Sequence, residues 1–428
     1  MRISEDILQF IWRFRLFRQI PLFTRAGLPI RILHPGDWNQ DAGPDFQSAL
    51  LFIEDIYICG NVEVHVSAKD WIIHGHHQNP AYNSVVLHVI WEGEEPCYLA
   101  DGSLLPSLNL RELIEPDIVW KANNLLQNIN PIPCAYDIKN VPMHIKVQVL
   151  QRTVVERLEA RYEQVKILLN ETQGDWERVT LILIASAFGM KVNKEQFMAL
   201  SRILNLKLLK KFAHKPQQIH ALFFGQAGLL QKVPGRESYV QELQKEYAYI
   251  EKLHGLDSLS PYQWKFMRMR PANFPTFKLA QLASLYTHQS SWFSWITTTE
   301  SLEEIRYFVD NLEIPAFWSN HYHFEKESVG HSTAISKDFF HLLVINSFSL
   351  ILFSYGKYMG DGYLANRALE WLEQVPVEIN KLVRPYKSLG LPLESALDSQ
   401  AVLQLWSAYC EKKRCLHCGI GASIINRI

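Results

Sequence analysis

Pro44 to Val66 reads PDFQSALLFIEDIYICGNVEVHV, and this stretch decides the fold. Phe46 to Ile53 and Ile56 to Val66 are two runs rich in β-branched and aromatic residues, parted by Glu54-Asp55. That is the pattern of a β-hairpin. On the second run Val62, Val64 and Val66 point one way, so Asn61, Glu63 and His65 share the other face. A two-residue loop at Glu54-Asp55 would pair Asp45 with Val64, on the wrong face. A shift of one residue, or a bulge at Gly60, would set Asp45 beside Glu63 or His65. Asp45 and Glu63 are then expected on adjacent antiparallel strands with carboxylates within about 7 Å, because one cation must touch both at about 2–2.6 Å.

Upstream, Ser4 is expected to cap a helix with Glu5 and Asp6 in its first turn, and Ile7, Leu8, Ile11, Phe14 and Leu16 recur at near-helical spacing. Pro21 ends it. Ile30 to Leu33 is a short strand stopped by Pro35-Gly36, and Val85 to Trp91 is a near-continuous apolar run that reads as a buried strand. Cys97 to Leu99 with Asp101-Gly102 adds a further strand and turn. Together these predict a small mixed sheet with a helix packed on it. Asn128 to Pro133 (NINPIP) is a turn-rich hinge. From Val141 the texture is helical: a long amphipathic helix over 147–169, one capped by Asp175, and one with an Asn193/Gln196 capping box. Further helices are expected over 217–224, 237–254, 279–287, 300–311, 337–355, 361–374 and 395–413. The fold class is α+β, with an N-terminal domain over 1–130 and a large all-α domain over 131–428.

At 428 residues, 48% hydrophobic and 12% aromatic, the chain has the material for two or three cores, which excludes a disordered protein. Six cysteines are too few for a disulfide scaffold. Phe339 to Tyr355, the longest apolar stretch, is interrupted by His341, Asn346, Ser347 and Ser349 and falls short of the roughly 20 residues of a membrane span. Met1 to Asp6 shows no basic-then-apolar signal segment, so a reducing, cytoplasmic location without a membrane partner is expected. The net charge of -1 hides an asymmetry. Residues 32–130 carry 3 Lys/Arg against 14 Asp/Glu, with six histidines: His34, His65, His74, His76, His77 and His88. An acidic, His-rich segment suits a bound cation.

Three readings of this constellation stand. In the first, Asp45 and Glu63 hold Mg²⁺ or Mn²⁺ for phosphodiester hydrolysis, with His65 activating or orienting water and His74 or His76 stabilising the leaving group. In the second, His65, His74, His76 or His77 and a carboxylate hold Zn²⁺ or Fe²⁺, as in a cupin-like enzyme. In the third, the polar groups satisfy loop backbone and pack against Trp38 and Trp71, and the protein is a scaffold whose helical half binds a protein partner. His88, on a buried strand, reads as a core histidine.

Pro44-Asp45, a strand, a turn and Glu63-Val64-His65 resemble the PD-(D/E)XK nuclease superfamily, and the helix, strand, hairpin, connector, strand order of residues 4–91 is similar to its core. The resemblance implies a divalent metal on Asp45 and Glu63 and a nucleic-acid substrate or partner. His65 stands where that family has lysine, so a titratable imidazole replaces a fixed cation. The whole chain also looks like an uncharacterised bacterial family filed as a domain of unknown function, through GDWNQDAGPDF, GNVEVHV, DWIIHGHH, AYNSVVLHVIW, RPANFP and CLHCGIG.

Cys410, Cys415 and Cys418 form CX4CX2C, and clustered thiols in a reducing compartment point to metal or redox chemistry. Cys134 or His417 would complete a Zn²⁺ or iron–sulfur ligand set, and packed reduced thiols are the alternative. For a zinc ion, three sulfurs must converge within about 4 Å. Cys59 and Cys97 read as small buried hydrophobes. Lys265, Arg268, Arg270 and Lys278 surround Pro271 to Pro275 with Phe266, Phe274 and Phe277, a loop able either to grip a phosphate backbone or to pack between helices. The early arginines Arg2, Arg13, Arg15, Arg18, Arg25 and Arg31 carry the same two readings.

Overall fold

The computed structural model describes residues 3–18, 20–231, 233–234 and 237–426. Arg2 lies outside them. The chain is α+β and divides into two compact units. The first comprises Met1–Arg152, Arg384–Pro392 and Val402–Ile428, and the second Thr153–Val383 and Leu393–Ala401. The first unit therefore takes in the end of the chain as well as its beginning.

In the first unit, helix α1 (Glu5–Phe14) precedes strands β1 (Leu22–Phe23), β2 (Pro29–His34), β3 (Asp37–Trp38), β4 (Phe46–Ile53) and β5 (Ile56–Ser67). Short helix α2 (Asp70–Ile73) and two 3-10 turns lead to β6 (Val85–Glu92). A small pair, β7 (Cys97–Tyr98) and β8 (Leu104–Leu105), precedes β9 (Ser107–Asn109). The main sheet runs β1-β2-β4-β5-β6-β9, with β3 on β4. β2, β4 and β5 form an antiparallel meander, while β6 joins β5, and β9 joins β6, in parallel. α1 buries Ile7, Leu8, Phe10, Ile11 and Trp12, and its N-terminus is closed by the Ser4 carbonyl, without the side-chain cap expected of Ser4.

The β4–β5 turn has φ of 50° at Glu54 and 73° at Asp55, the geometry of a type I′ hairpin. From there the register runs Ile53↔Ile56 to Ala49↔Gly60, then shifts so that Phe46 faces Val62. Gln47 and Ser48 thus share one partner, Asn61. The bulge falls at Ser48, whose φ is 55° and whose N–H donates to Asn61 Oδ1 at 3.2 Å, and not at Gly60. Gly60 is required for another reason: a Cβ there would sit 2.3 Å from Val86 Cγ1 on β6.

The second unit is helical. Its most deeply packed helix is Pro275–His288, buried from Pro275 to Thr287. Lys337–Met359 is a continuous helical stretch of 23 residues, longer than its sequence suggests, with a π-helical segment at Val344–Phe348. By length and composition it suits a membrane span, yet 78% of its apolar window is buried inside the protein, as in a core helix. Asp175 caps its helix through Arg178 N–H at 3.0 Å. Asn193 makes no capping box: its side chain exchanges two hydrogen bonds with the Lys265 backbone instead. In the basic loop Lys265, Arg268 and Arg270 are exposed, whereas Phe277 and Lys278 are buried and the Lys278 ammonium lies over the Phe339 ring.

Candidate metal centre on the sheet

The loop before β4 is folded by Asn39. Its Oδ1 accepts from Asp41 N–H, its Nδ2 donates to Pro44 O, and its backbone N–H donates to Asp45 O at 2.7 Å. This clamp delivers Asp45 to the edge of β4, and the Ser48 bulge turns it toward Glu63. Asp45 N–H donates to Glu63 Oε2 at 3.0 Å. Asp45 Oδ2 accepts from Val64 N–H at 3.0 Å, and Asp45 Oδ1 accepts from Gln9 Nε2 on α1 at 2.9 Å. Both Asp45 oxygens are therefore engaged by protein donors. Glu63 uses only Oε2, leaving Oε1 to face the histidines.

Two histidines meet that oxygen, and a third meets one of them. Glu63 Oε1 lies 3.5 Å from His65 Nε2 and 3.2 Å from His76 Nε2, and His74 Nδ1 lies 3.2 Å from His65 Nε2. The ligand-capable atoms of His65, His74 and His76 all lie within 4.8 Å of one another and could hold a metal ion. Four donors around an ion at about 2.0–2.1 Å stand about 3.3–3.4 Å apart on each tetrahedral edge. Three of the six edges of such a tetrahedron, at 3.2, 3.5 and 3.2 Å, bracket that value, while Glu63 falls outside the group whose atoms all lie within 4.8 Å of one another. His76 Nε2 is buried and makes no hydrogen bond of good geometry, although Glu63 Oε1 lies 3.2 Å away.

Local structure explains the convergence. Asp70 Oδ2 accepts from Ser67 N–H and opens α2, and buried Trp71 ties α2 down by donating from Nε1 to Tyr98 O. His74 ends α2, Gly75 turns the chain with a φ of 74°, and His76 begins the next turn, stacked on Tyr82 at 3.8 Å and on His65 at 5.2 Å. His74 is exposed, while His65 and His76 are buried. His77 stands outside the set. His88 faces Glu63 across the parallel β5–β6 ladder, and its Nε2 meets His65 Nδ1 at 2.9 Å. That contact aims His65 Nε2 at Glu63, the orienting bond that metal-binding histidines use.

Burial with like charges makes the carboxylates hold protons. Glu63 is pushed up to about 9 by burial, then by the charges of Asp45 and Glu5. Burial lifts Asp45 to about 6 against the hydrogen bonds from Val64 and Gln9. Glu5, on the first turn of α1, rises to about 7 through burial and the charges of Asp45, Asp6 and Asp70. The histidines are held neutral: burial, then neighbouring imidazoles, lowers His65 to about 2, His76 to about 4 and His88 to about 3. A cluster of proton-holding carboxylates beside neutral imidazoles is what a cation site looks like when cation and protons compete.

Residues 5–381 match a family described as protein of unknown function, DUF2851. The chain belongs to the DUF2851 family. No curated protein and no solved structure matches it. The DUF2851 match takes in Glu5, Asp45, Glu63 and all the histidines of the cluster, and carries no activity with it. Of the residues expected from sequence, this DUF2851 chain brings Asp45, Glu63, His65, His74 and His76 together. Sequence reasoning passed over Glu5 and Gln9, one helical turn apart on α1, and set His88 aside as core, whereas the parallel β5–β6 register places it opposite Glu63.

The cysteines gather in the same unit. Cys134, Cys410, Cys415 and Cys418 are all buried and none is in a disulfide. His417 instead stacks on Trp38 at 4.6 Å. Cys97 is buried as expected, whereas Cys59 is exposed.

Proposed function

We propose that this chain is a metal-dependent hydrolase with a zinc- or iron-type divalent ion held by Glu63 Oε1, His65 Nε2, His74 Nδ1 and His76 Nε2. The observation that carries the reading is the convergence of His65, His74 and His76, whose ligand-capable atoms all lie within 4.8 Å of one another, with Glu63 Oε1 3.5 Å from His65 Nε2 and 3.2 Å from His76 Nε2. Such an ion would supply Lewis acidity and a bound water of lowered pKa. His74, at the exposed mouth, is the donor most easily replaced by water or substrate. Asp45 positions Glu63 through its backbone N–H. Glu5, pushed up to about 7, holds or gives up a proton near neutral pH, as a general acid–base group requires. Phosphodiesters are the substrate class we favour, and nucleic acid the partner. The support is the order helix, antiparallel meander, short crossover helix, parallel strand, with Asp45 in the bend just before β4 and Glu63 on neighbouring β5.

A second reading has an observation of its own: Glu63, His65 and His76 are buried, as the ligands of a closed structural zinc site are. One experiment separates them. Metal-stripped protein is reloaded with Zn²⁺, Mn²⁺ or Fe²⁺, and wild type is compared with His74→Ala and His76→Ala for bound metal, melting temperature and cleavage of an activated phosphodiester and of single- and double-stranded DNA and RNA. The hydrolase reading expects metal-dependent cleavage that both variants lower. Metal that binds and raises the melting temperature without cleavage makes the site structural, and wild-type protein that binds none of the three ions refutes both.

A further inference from the structure

A second cluster lies at the other end of the same unit. Cys134 sits in the turn after α3 (Pro116–Gln127), where its carbonyl accepts from Asp137 N–H and Ile138 N–H. Cys410 ends the π-helix Leu405–Cys410, Cys415 opens a 3-10 turn, and Cys418 precedes the helix Gly419–Ile425. That turn and helix pack against α3. Gly421 makes the tight fold between them possible: a Cβ there would lie 2.1 Å from the Cys415 carbonyl oxygen. Three separate segments thus deliver four cysteines to one buried place, with relative exposures of only 7–9%.

Three features point to a ligand there. Cys134 lies within electrostatic reach of Cys410, Cys418 and Cys415, and burial together with those neighbours pushes its thiol up. The Tyr386 hydroxyl is buried beside the Cys410 thiol, close enough to interact with it but without a hydrogen bond of good geometry. A buried hydroxyl without an acceptor costs roughly 1–3 kcal/mol, and sulfur carrying negative charge is an acceptor. The third feature is spacing. Among the described residues the histidine triad is the one group drawn within 4.8 Å, so the cysteine sulfurs are spread more widely than a single zinc, whose S–S edges are about 3.8 Å for Zn–S bonds of about 2.3 Å.

We propose that Cys134, Cys410, Cys415 and Cys418 are the four thiolate ligands of a polynuclear iron–sulfur cluster, with the Tyr386 hydroxyl donating to its sulfur. Each thiol gives up its proton as its sulfur binds iron; with iron supplied as both ferrous and ferric ions and the bridging sulfur as sulfide, assembly involves no net oxidation or reduction. The position gives the cluster a structural task. His417, between two of the ligands, stacks on Trp38, whose other neighbour is the Arg13 guanidinium of α1 at 5.0 Å. Asp6, Gln9, Phe10, Arg13, Trp38 and His417 line a cavity of about 10 Å³ there. The cluster would pin the returning C-terminal segment against the helix that carries Glu5 and Gln9.

The test is made first on wild-type full-length protein purified without oxygen, by iron, zinc and acid-labile sulfide analysis and visible absorption. The expected result is brown protein with iron and sulfide in equal amounts, and protection of all four thiols from alkylation while exposed Cys59 reacts. Cys415→Ser and Cys418→Ser should lose colour, iron and sulfide, whereas Cys59→Ser should keep them. Iron-free, sulfide-free protein overturns the proposal even where the serine variants fail to fold, and so does one zinc per chain without sulfide. Tyr386→Phe should keep the iron but shift the absorption or the reduction potential, and an unchanged spectrum and potential would remove the hydroxyl from the assignment.

Discussion

Glu63→Gln is the most informative single change. In metal-free protein Glu63 has an unfolded value of 4.5 and is pushed up to about 9 on folding. A raised carboxylate means that above pH 4.5 the unfolded chain has released a proton that the folded chain still holds. Stability therefore falls as pH rises from 4.5 toward 9, by about 1.4 kcal/mol per pH unit for this group. At pH 7 the interval is 2.5 units, which amounts to about 3 kcal/mol as an upper figure. The substituted amide does not titrate. Its oxygen can take the Asp45 N–H, and its NH₂ group can donate to the partnerless His76 Nε2. Metal-free variant should thus be more stable than wild type at pH 7, by an amount on the order of 1–3 kcal/mol, with the difference growing from pH 5 to pH 8. With Zn²⁺ at about a hundred times its dissociation constant, wild type should gain about 2.7 kcal/mol and the variant almost none. Denaturant unfolding across pH, with chelator and with Zn²⁺, measures both. A stability difference that stays flat with pH, or a variant that zinc stabilises as it does the wild type, would refute the reasoning.

The buried imidazoles act in the opposite sense. His65, His76 and His88 are lowered, so the unfolded chain takes protons first as pH drops below 6.5, and stability of the metal-free protein should fall there, giving a maximum between about pH 4.5 and 6.5 in a melting-temperature profile. His88→Phe keeps a ring on β6 but removes the bond to His65 Nδ1, and zinc affinity by competition titration should fall about 10- to 100-fold. Deleting Ser48 removes the bulge but leaves Phe46 opposite Val62 and Asp45 opposite Glu63, so zinc should still raise the melting temperature. Ser48→Gly keeps the bulge, eases its positive φ and should bind zinc with a stability change under about 1 kcal/mol.

The hairpin, the face shared by Glu63 and His65, and most helices of the second unit were legible because each rests on local periodicity. The one-residue bulge was not legible in the same way. Serine at position 48 carries no mark of a positive φ, and the space beside Val86 explains Gly60 without a bulge. His88 shares the Glu63 face only through the parallel β5–β6 register, a pairing between strands that no local pattern encodes. The Asn193/Gln196 signature failed because the Lys265 backbone, 72 residues away, offered Asn193 a donor and an acceptor together. Glu5 and Gln9 are an ordinary pair on an exposed-looking turn until α1 lies down on β5 and Asp45.

The return of residues 402–428 to the first unit makes the helical unit, in effect, an insertion within a domain whose two halves are far apart along the chain. During synthesis the sheet and its histidines emerge before the inserted helices, but the segment bearing Cys410, Cys415 and Cys418 arrives only after them. Closing so long a loop is slow, and the faces of α3 awaiting it stay open meanwhile. Truncating the chain after Ala401 would therefore damage the unit that was made first, and this damage would be read as loss of the sheet-bearing unit while the inserted helices survive.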